Sequence, residues 1–300
     1  MCCKSAILRI ILFIFLLCGL QCHANAQAEG YPVATGLAFM SNEFYNPQAL
    51  FTEGVVEGKV LHRGNLGVFN DVSTTYAQFT LNLSSISGKD SASNRYLGIH
   101  VESDREGRLL SRNRGYLQFA QHLSIADDWD ISLGAMLGGL NLIFQSTSIT
   151  PGVSASAWDG AAGVSSTYKK KYTFGASVVQ MFNTSLISVN QTTVLQRFIS
   201  LYADASLVER PQYQCNVYGR SWFRDGEILL ADGGVYGTFF NYLRAGVGYR
   251  MQQGAVVHLG LDDIRIGGGR AVFLTSFEFP VASAHRLPQE SYELVLMYFL

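Results

Sequence analysis

From residue 58 onward, apolar and polar side chains alternate along the chain with a period of two. Successive side chains of a strand point to opposite faces, so each alternating run reads as a half-buried β-strand. Thr75, Ala77, Phe79, Leu81 and Leu83 share one face; Thr74, Tyr76, Gln78, Thr80 and Asn82 share the other. Leu117, Phe119 and Leu123 oppose Arg114, Tyr116, Gln118 and His122. Leu243, Ala245, Val247 and Tyr249 oppose Arg244, Gly246, Gly248 and Arg250. The run at 290–300 is the cleanest: Tyr292, Leu294, Leu296, Tyr298 and Leu300 form a wholly apolar face with a Tyr near each end, behind which lie Ser291, Glu293, Val295, Met297 and Phe299.

The pattern predicts fourteen strands: 58–69, 72–83, 94–102, 113–124, 129–142, 158–168, 171–181, 192–209, 212–224, 226–237, 240–251, 255–263, 267–279 and 290–300. Several exceed the five or six residues usual in soluble proteins and approach the nine to eleven of a tilted membrane strand. An all-β fold follows, either a transmembrane antiparallel β-barrel of about 14 strands or a soluble sandwich whose apolar faces form its core. In the barrel reading the apolar faces meet lipid, and an even strand count puts both ends on the periplasmic side. The longest connection, about 144–157, is rich in Ser, Thr, Gly and Pro and is expected on the outer side. Residues 27–57 read as an irregular N-terminal segment with a turn at Asn46-Pro47, placed either in the barrel mouth or lumen or as a plain N-terminal arm. The barrel itself then covers 58–300.

Composition favours the barrel. Charged residues make up 15% of the chain, against about 25% in soluble domains. Gly is abundant at 30 residues, Phe at 19 and Tyr at 15, while Pro is scarce at 6. Residues 1–26 read as a secretory signal peptide: Lys4 and Arg9 form a charged start, 10–20 are apolar, and Ala24-Asn25-Ala26 is a small-x-small cleavage site. Cys18 and Cys22 raise the alternative of a lipoprotein signal, but Leu17 and Gln21 precede them where a small residue is expected. Cleavage at Ala26 would remove Cys2, Cys3, Cys18 and Cys22, leave Cys215 alone, and take the net charge from −1 to −3. That balance lacks the basic footprint of nucleic-acid binding, so no nucleic acid is expected as a partner.

The polar faces carry Arg114, Arg220, Arg244, Arg250 and Arg270 with Glu102, Asp204, Asp262 and Glu278, which suits a wet or ion-paired lumen. No nucleophile elbow or phosphate loop is present, and His62, His100, His122, His258 and His285 lack metal-ligand spacing. Gly267-Gly268-Gly269 reads as a turn, Lys169-Lys170-Lys171 as a solvated turn with contact to anionic lipid or an acidic partner as the alternative, and Cys215 as a lipid-facing side chain. No cofactor is expected. A catalytic barrel would need a lumen carboxylate pair, with Glu102 or Glu278 as candidates.

Four stretches in order resemble the PorP/SprF membrane proteins of the Bacteroidota type IX secretion and gliding machinery. Phe44-Tyr45-Asn46-Pro47-Gln48-Ala49 resembles the early Y-x-N-P-A segment of that family. Residues 97–107, L-G-I-H-V-E-S-D-R-E-G, resemble its L-G-L-x-V-x-x-D-x-x-G strand and loop. Residues 243–250, L-R-A-G-V-G-Y-R, are similar to its L-R-x-G-Y-S-Y-D strand. Residues 291–299, S-Y-E-L-V-L-M-Y-F, resemble its closing S-H-E-I-x-L-x-Y-x-F. Glu290, Tyr292 and Arg250 stand where the family usually has Gly, His and Asp, which marks a divergent member.

The resemblance implies a non-enzymatic protein of the bacterial outer membrane. It would work with type IX secretion subunits, as a general component or as the dedicated partner of one secreted surface adhesin. Outer-membrane lipid and the barrel assembly machinery would be its other partners. Asn46, Pro47, Gly98, Asp104, Gly107, Ser291, Glu293, Tyr298 and Phe299 are the motif positions to which a structural or partner-binding role would attach. The same barrel would also serve a solute channel or a fatty-acid-type transporter.

Overall fold

Alternation of this length has a direct structural result: each strand offers one greasy and one polar face, and the sheet curls until the polar faces look at each other. The computed structural model describes residues 35–67, 70–87, 93–146, 152–188, 191–251, 253–280 and 290–300. The predicted signal peptide and residues 27–34 lie outside them, as does His285. The strands are β1 (Val56–Asn65), β2 (Ser73–Asn82), β3 (Ser93–Glu106), β4 (Leu110–Ala126), β5 (Trp129–Phe144), β6 (Val153–Tyr168), β7 (Tyr172–Val179), β8 (Ser185–Ser188), β9 (Gln191–Val194), β10 (Phe198–Arg210), β11 (Tyr213–Arg224), β12 (Glu227–Phe239), β13 (Leu243–Arg250), β14 (Gly254–Ile266), β15 (Gly269–Pro280) and β16 (Ser291–Phe299). All but β8 and β9 form one closed antiparallel barrel of 14 strands. The seam joins β1 to β16, from Glu57 opposite Phe299 to Asn65 opposite Ser291. Closure pairs the strand edges within the wall, as a structure in lipid requires.

The faces sort as the pattern predicts. On β2, Tyr76, Gln78 and Thr80 are buried while Phe79 is exposed. On β16, Glu293, Val295 and Met297 are buried while Leu294 and Leu296 are exposed. Cys215 is half-buried on β11. On β6 the outward row is bounded by Tyr168, whose ring lies 4.8 Å from that of Trp129, and by the exposed Trp158. Ten residues at about 3.3 Å each, tilted by about 40°, span about 25 Å, the height of an outer-membrane apolar band. Beyond Trp158 the outward positions include a polar row, with Ile143 opposite Ser154 past it. Ser103, Asn113, Asn141 and Ser156 form one cross-strand row, and the Ser103 hydroxyl donates to Asn113 Oδ1 at 2.9 Å.

Both ends of the barrel chain, Val56 and Phe299, lie at the same end of the barrel. Residues 127–128, 169–171, 211–212, 240–242 and 267–268 turn there, together with the short helix α1 (Leu83–Ser87). Lys169 and Lys170 occupy left-handed backbone in their turn, with φ of 54° and 55°. The far end carries the longer connections. The longest is not 144–157, since β6 already starts at Val153; it is 180–197, between β7 and β10. The expected strand 192–209 is correspondingly two pieces. Leu195 leaves the wall to pack on Leu140 and Ala157, and Arg224 takes Gln196 as a partner, which breaks the alternation. β3 reaches Glu106 rather than 102, because polar residues that read as a loop continue the inward and outward alternation.

Candidate functional site: a lumen filled by the N-terminal segment

Ahead of β1 the chain makes three single 3-10 turns, Ala38–Met40, Asn42–Phe44 and Pro47–Ala49. Asn46 precedes the third, and Pro47 opens it, where a missing N–H costs nothing. Leu37, Phe44, Tyr45, Asn46, Gln48 and Leu50 are buried, and their contacts run to inward side chains all round the wall. Asn46 Oδ1 accepts from the Ser177 hydroxyl at 2.7 Å, and Gln118 Nε2 donates to the Glu43 carbonyl at 3.0 Å. The wall is cut to receive the turn. A Cβ at Gly134 would lie 2.2 Å from the Gln48 nitrogen, and one at Gly98 would press on Leu50 at 3.1 Å. Gly98 is therefore a seat for Leu50, which accounts for one motif position by shape alone.

Rings fix the middle of the segment. Phe44 stacks on Tyr76 at 4.7 Å and on His100 at 4.8 Å. The Tyr45 and Tyr76 hydroxyls bond at 2.7 Å, and burial pushes the Tyr45 phenol well above its ordinary pKa. Nearer the start, Phe39 stacks on Tyr236 at 4.0 Å and meets His258 edge-on.

Charges fix the start. Glu293 accepts from the backbone N–H groups of Gly36 and Leu37, the latter at 2.9 Å, while Arg63 Nη1 lies 3.2 Å away. The Thr35 carbonyl accepts from Arg250 and, at 2.9 Å, from Arg220. Arg250 also faces Glu278 at 3.3 Å and Asp232 at 3.5 Å, and Arg63 reaches Glu278 at 2.9 Å. Lys59 pairs with Glu43 and donates to the Met40 carbonyl at 3.1 Å. A buried cation with several such partners recovers its desolvation cost; stripped of them it would not. Arg250, the departure from the family pattern, is fully buried and supplies the positive charge between two acids.

The nine motif residues do not form one site. Asn46, Pro47, Gly98, Ser291 and Glu293 meet at or under the segment, with Ser291 donating to Glu278 at 3.1 Å. Asp104 is an ion-pair residue of the wall, held by Thr74 at 2.8 Å and Arg112 at 3.3 Å. Gly107 turns the chain between β3 and β4 with φ of 72°. Tyr298 points outward and donates to the Ile266 carbonyl at 3.1 Å, while Phe299 points inward beneath Arg270, 4.6 Å from its ring. The two carboxylates proposed for catalysis are both held by cations: Glu102 by Arg114, Glu278 by Arg63 and Arg250. Among the described residues no cluster of His, Cys, Asp and Glu could hold a metal ion. Sequence reasoning missed Phe39, Lys59, Arg63 and Ser177 as partners; the last three signalled themselves only as polar side chains on inward strand faces, and Phe39 only as an aromatic in the irregular segment.

The family model for the type IX secretion system membrane protein PorP/SprF matches residues 26–298. No curated protein matches the sequence. Among solved structures, a Pseudomonas aeruginosa FadL homologue aligns with a TM-score of 0.53 at 9% identity, over 86% of this chain and 93% of that one. The Ralstonia pickettii toluene transporter TbuX aligns with a TM-score of 0.53 at 12% identity, over 93% and 98%. The CymD monoaromatic hydrocarbon channel aligns with a TM-score of 0.54 at 10% identity, over 90% and 94%. At such identities the likeness is one of fold.

Proposed function

We propose a non-catalytic role in protein export for this chain, which belongs to the PorP/SprF family of type IX secretion system membrane proteins. It acts as an outer-membrane partner, binding subunits of the secretion machine or helping to secrete and anchor a surface protein. The family match over nearly the whole chain carries this reading. The filled lumen supports it, because residues 35–50 occupy the space through which a solute would pass. The signal peptide at 1–26 would deliver the chain to the periplasm, and the barrel assembly machinery would insert it. By the usual asymmetry of such barrels, the end with short turns faces the periplasm and the end carrying 180–197 faces outward.

The test is the surface and secreted proteome of a strain lacking the gene. Broad loss of type IX cargo marks a general component. Loss of one adhesin marks a dedicated partner. An unchanged proteome sinks the proposal. The channel reading makes the opposite demand: conductance or solute uptake from the purified protein alone.

A further inference from the structure

Residues 35–56 enter the lumen towards one end of the barrel and leave it at the other. Their start lies towards the far end. Arg250, the last residue of β13, holds the Thr35 carbonyl together with Arg220 at 2.9 Å. Glu293, near the far end of β16, takes the N–H groups of Gly36 and Leu37, and Arg63 meets it from the far part of β1 at 3.2 Å. The exit lies at the end with the short turns. The Phe51 ring is 6.1 Å from that of His122, late in β4. Val55 N donates to the Leu300 carbonyl at 2.6 Å, and β1 begins there.

Between start and exit the segment touches the wall on all sides. Phe44 stacks on Tyr76 of β2, and the Gln48 backbone sits against Gly134 of β5. Asn46 takes the Ser177 hydroxyl of β7, and Phe39 stacks on Tyr236 of β12. The turns thus fill the cross-section at their level. A chain that reached Thr35 from the short-turn end would have to cross that level a second time, and each buried N–H and C=O of the extra pass would need a partner. The inward charges beside Thr35 are already paired: Arg250 with Asp232 and Glu278, and Arg63 with Glu278 and Glu293. The far mouth is the route that remains.

We infer that the chain threads its own barrel, so that the part preceding Thr35 stands at the far end, the end assigned above to the cell exterior. Residues 27–34, which lie outside the described residues, then form an outer arm joined covalently to the lumenal turns. Cleavage at Ala26 makes the tip of that arm the amino terminus of the mature protein. An extracellular partner could reach the arm without opening the lumen.

The test places single thiols in the full-length protein in a Cys215→Ser background. Glu29→Cys probes the arm. Asp225→Cys marks the far end, in the exposed turn between β11 and β12, and Asn241→Cys marks the short-turn end, in the exposed turn between β12 and β13. Heat-modifiable migration selects assembled barrels. Intact cells receive a membrane-impermeant maleimide, before and after the outer membrane is permeabilised. The thiol at 29 is expected to label in intact cells as fully as the one at 225, while the one at 241 stays at background until permeabilisation. A thiol at 29 that labels only together with 241 would overturn the threading. So would one that resists the reagent in both states, which would leave it inside the lumen. The comparison is between ends: if 29 and 225 label together but only after permeabilisation, the threading stands and the exterior assignment falls.

Discussion

The two ends of the lumenal segment are held by different physics. Residues 35–37 are gripped by charge: guanidinium groups of Arg220 and Arg250 on one carbonyl, and the Glu293 carboxylate on two N–H groups. Residues 44–50 are held by shape: stacked rings, a neutral Asn46–Ser177 bond, the Gln48 backbone seated on Gly134 and the Leu50 side chain on Gly98. Charge holds firmly only while every partner is present, because a buried ion left alone is costly. Shape holds without such an all-or-none condition, but it tolerates no added atom. The start of the segment is therefore its releasable end, and the 46–50 turn its fixed one.

Substitutions can break this contrast one end at a time. The largest expected effect is from Arg250→Met, which leaves Asp232 and Glu278 short of a partner and takes one of two guanidinium donors from the Thr35 carbonyl. A loss of about 3–5 kcal/mol is expected, read as a lower temperature for the heat-modifiable gel shift. In a Cys215→Ser background, a thiol placed at Ser41 should become labelled while one at Thr52 stays protected. Gly134→Val is next and strikes the other end. Its Cβ would overlap the Gln48 backbone, so about 1–3 kcal/mol of overpacking is expected. Here the thiol at Thr52 should open first, and bilayer conductance should rise above the wild-type level. Labelling of both thiols equally in either variant would show the segment to be one unit and end the distinction. Glu293→Gln keeps one acceptor and loses the charge, a cost of about 1.5 kcal/mol, seen as faster labelling at Ser41 alone. Phe39→Leu gives the smallest change, about 1 kcal/mol from the lost stack on Tyr236, detectable only as a small shift in the same rate.

Much of the wall was legible because its rule is local. A period of two needs no knowledge of neighbours, so Phe79 outward and Tyr76 inward follow from position alone. The number of barrel strands follows too. The rule failed where local pattern and long-range packing disagree. Residues 192–194 alternate well enough to extend β10, yet they belong to a hairpin, since Leu195 finds Ala157 and Leu140 on a distant part of the chain. At the far end of β3, Ser103 and Asp104 look like loop residues, but Asp104 is an inward acid with a cation waiting on β4. The site was less legible than the wall. Asn46-Pro47 announces a turn, but nothing in that dipeptide says that Gly134, on a strand far along the chain, was left bare for it. Glu293 could be placed on an inward face from its run; that it grips Gly36 and Leu37 is a fact of closure, not of pattern.

That last contact bears on how the molecule is made. The segment runs directly into β1, and the residue that grips it sits on β16, the strand that closes the ring against β1. First and last strands meet along the one seam that closes the ring. Arg63 of β1 and Glu293 of β16 join across the seam, and the same Glu293 holds Gly36 and Leu37, so the full grip on the segment requires a closed wall. A ring that shut with its segment outside would face the lumen with Arg220, Arg250 and Glu293 deprived of the backbone groups they hold. Closure and filling thus share one residue, Glu293.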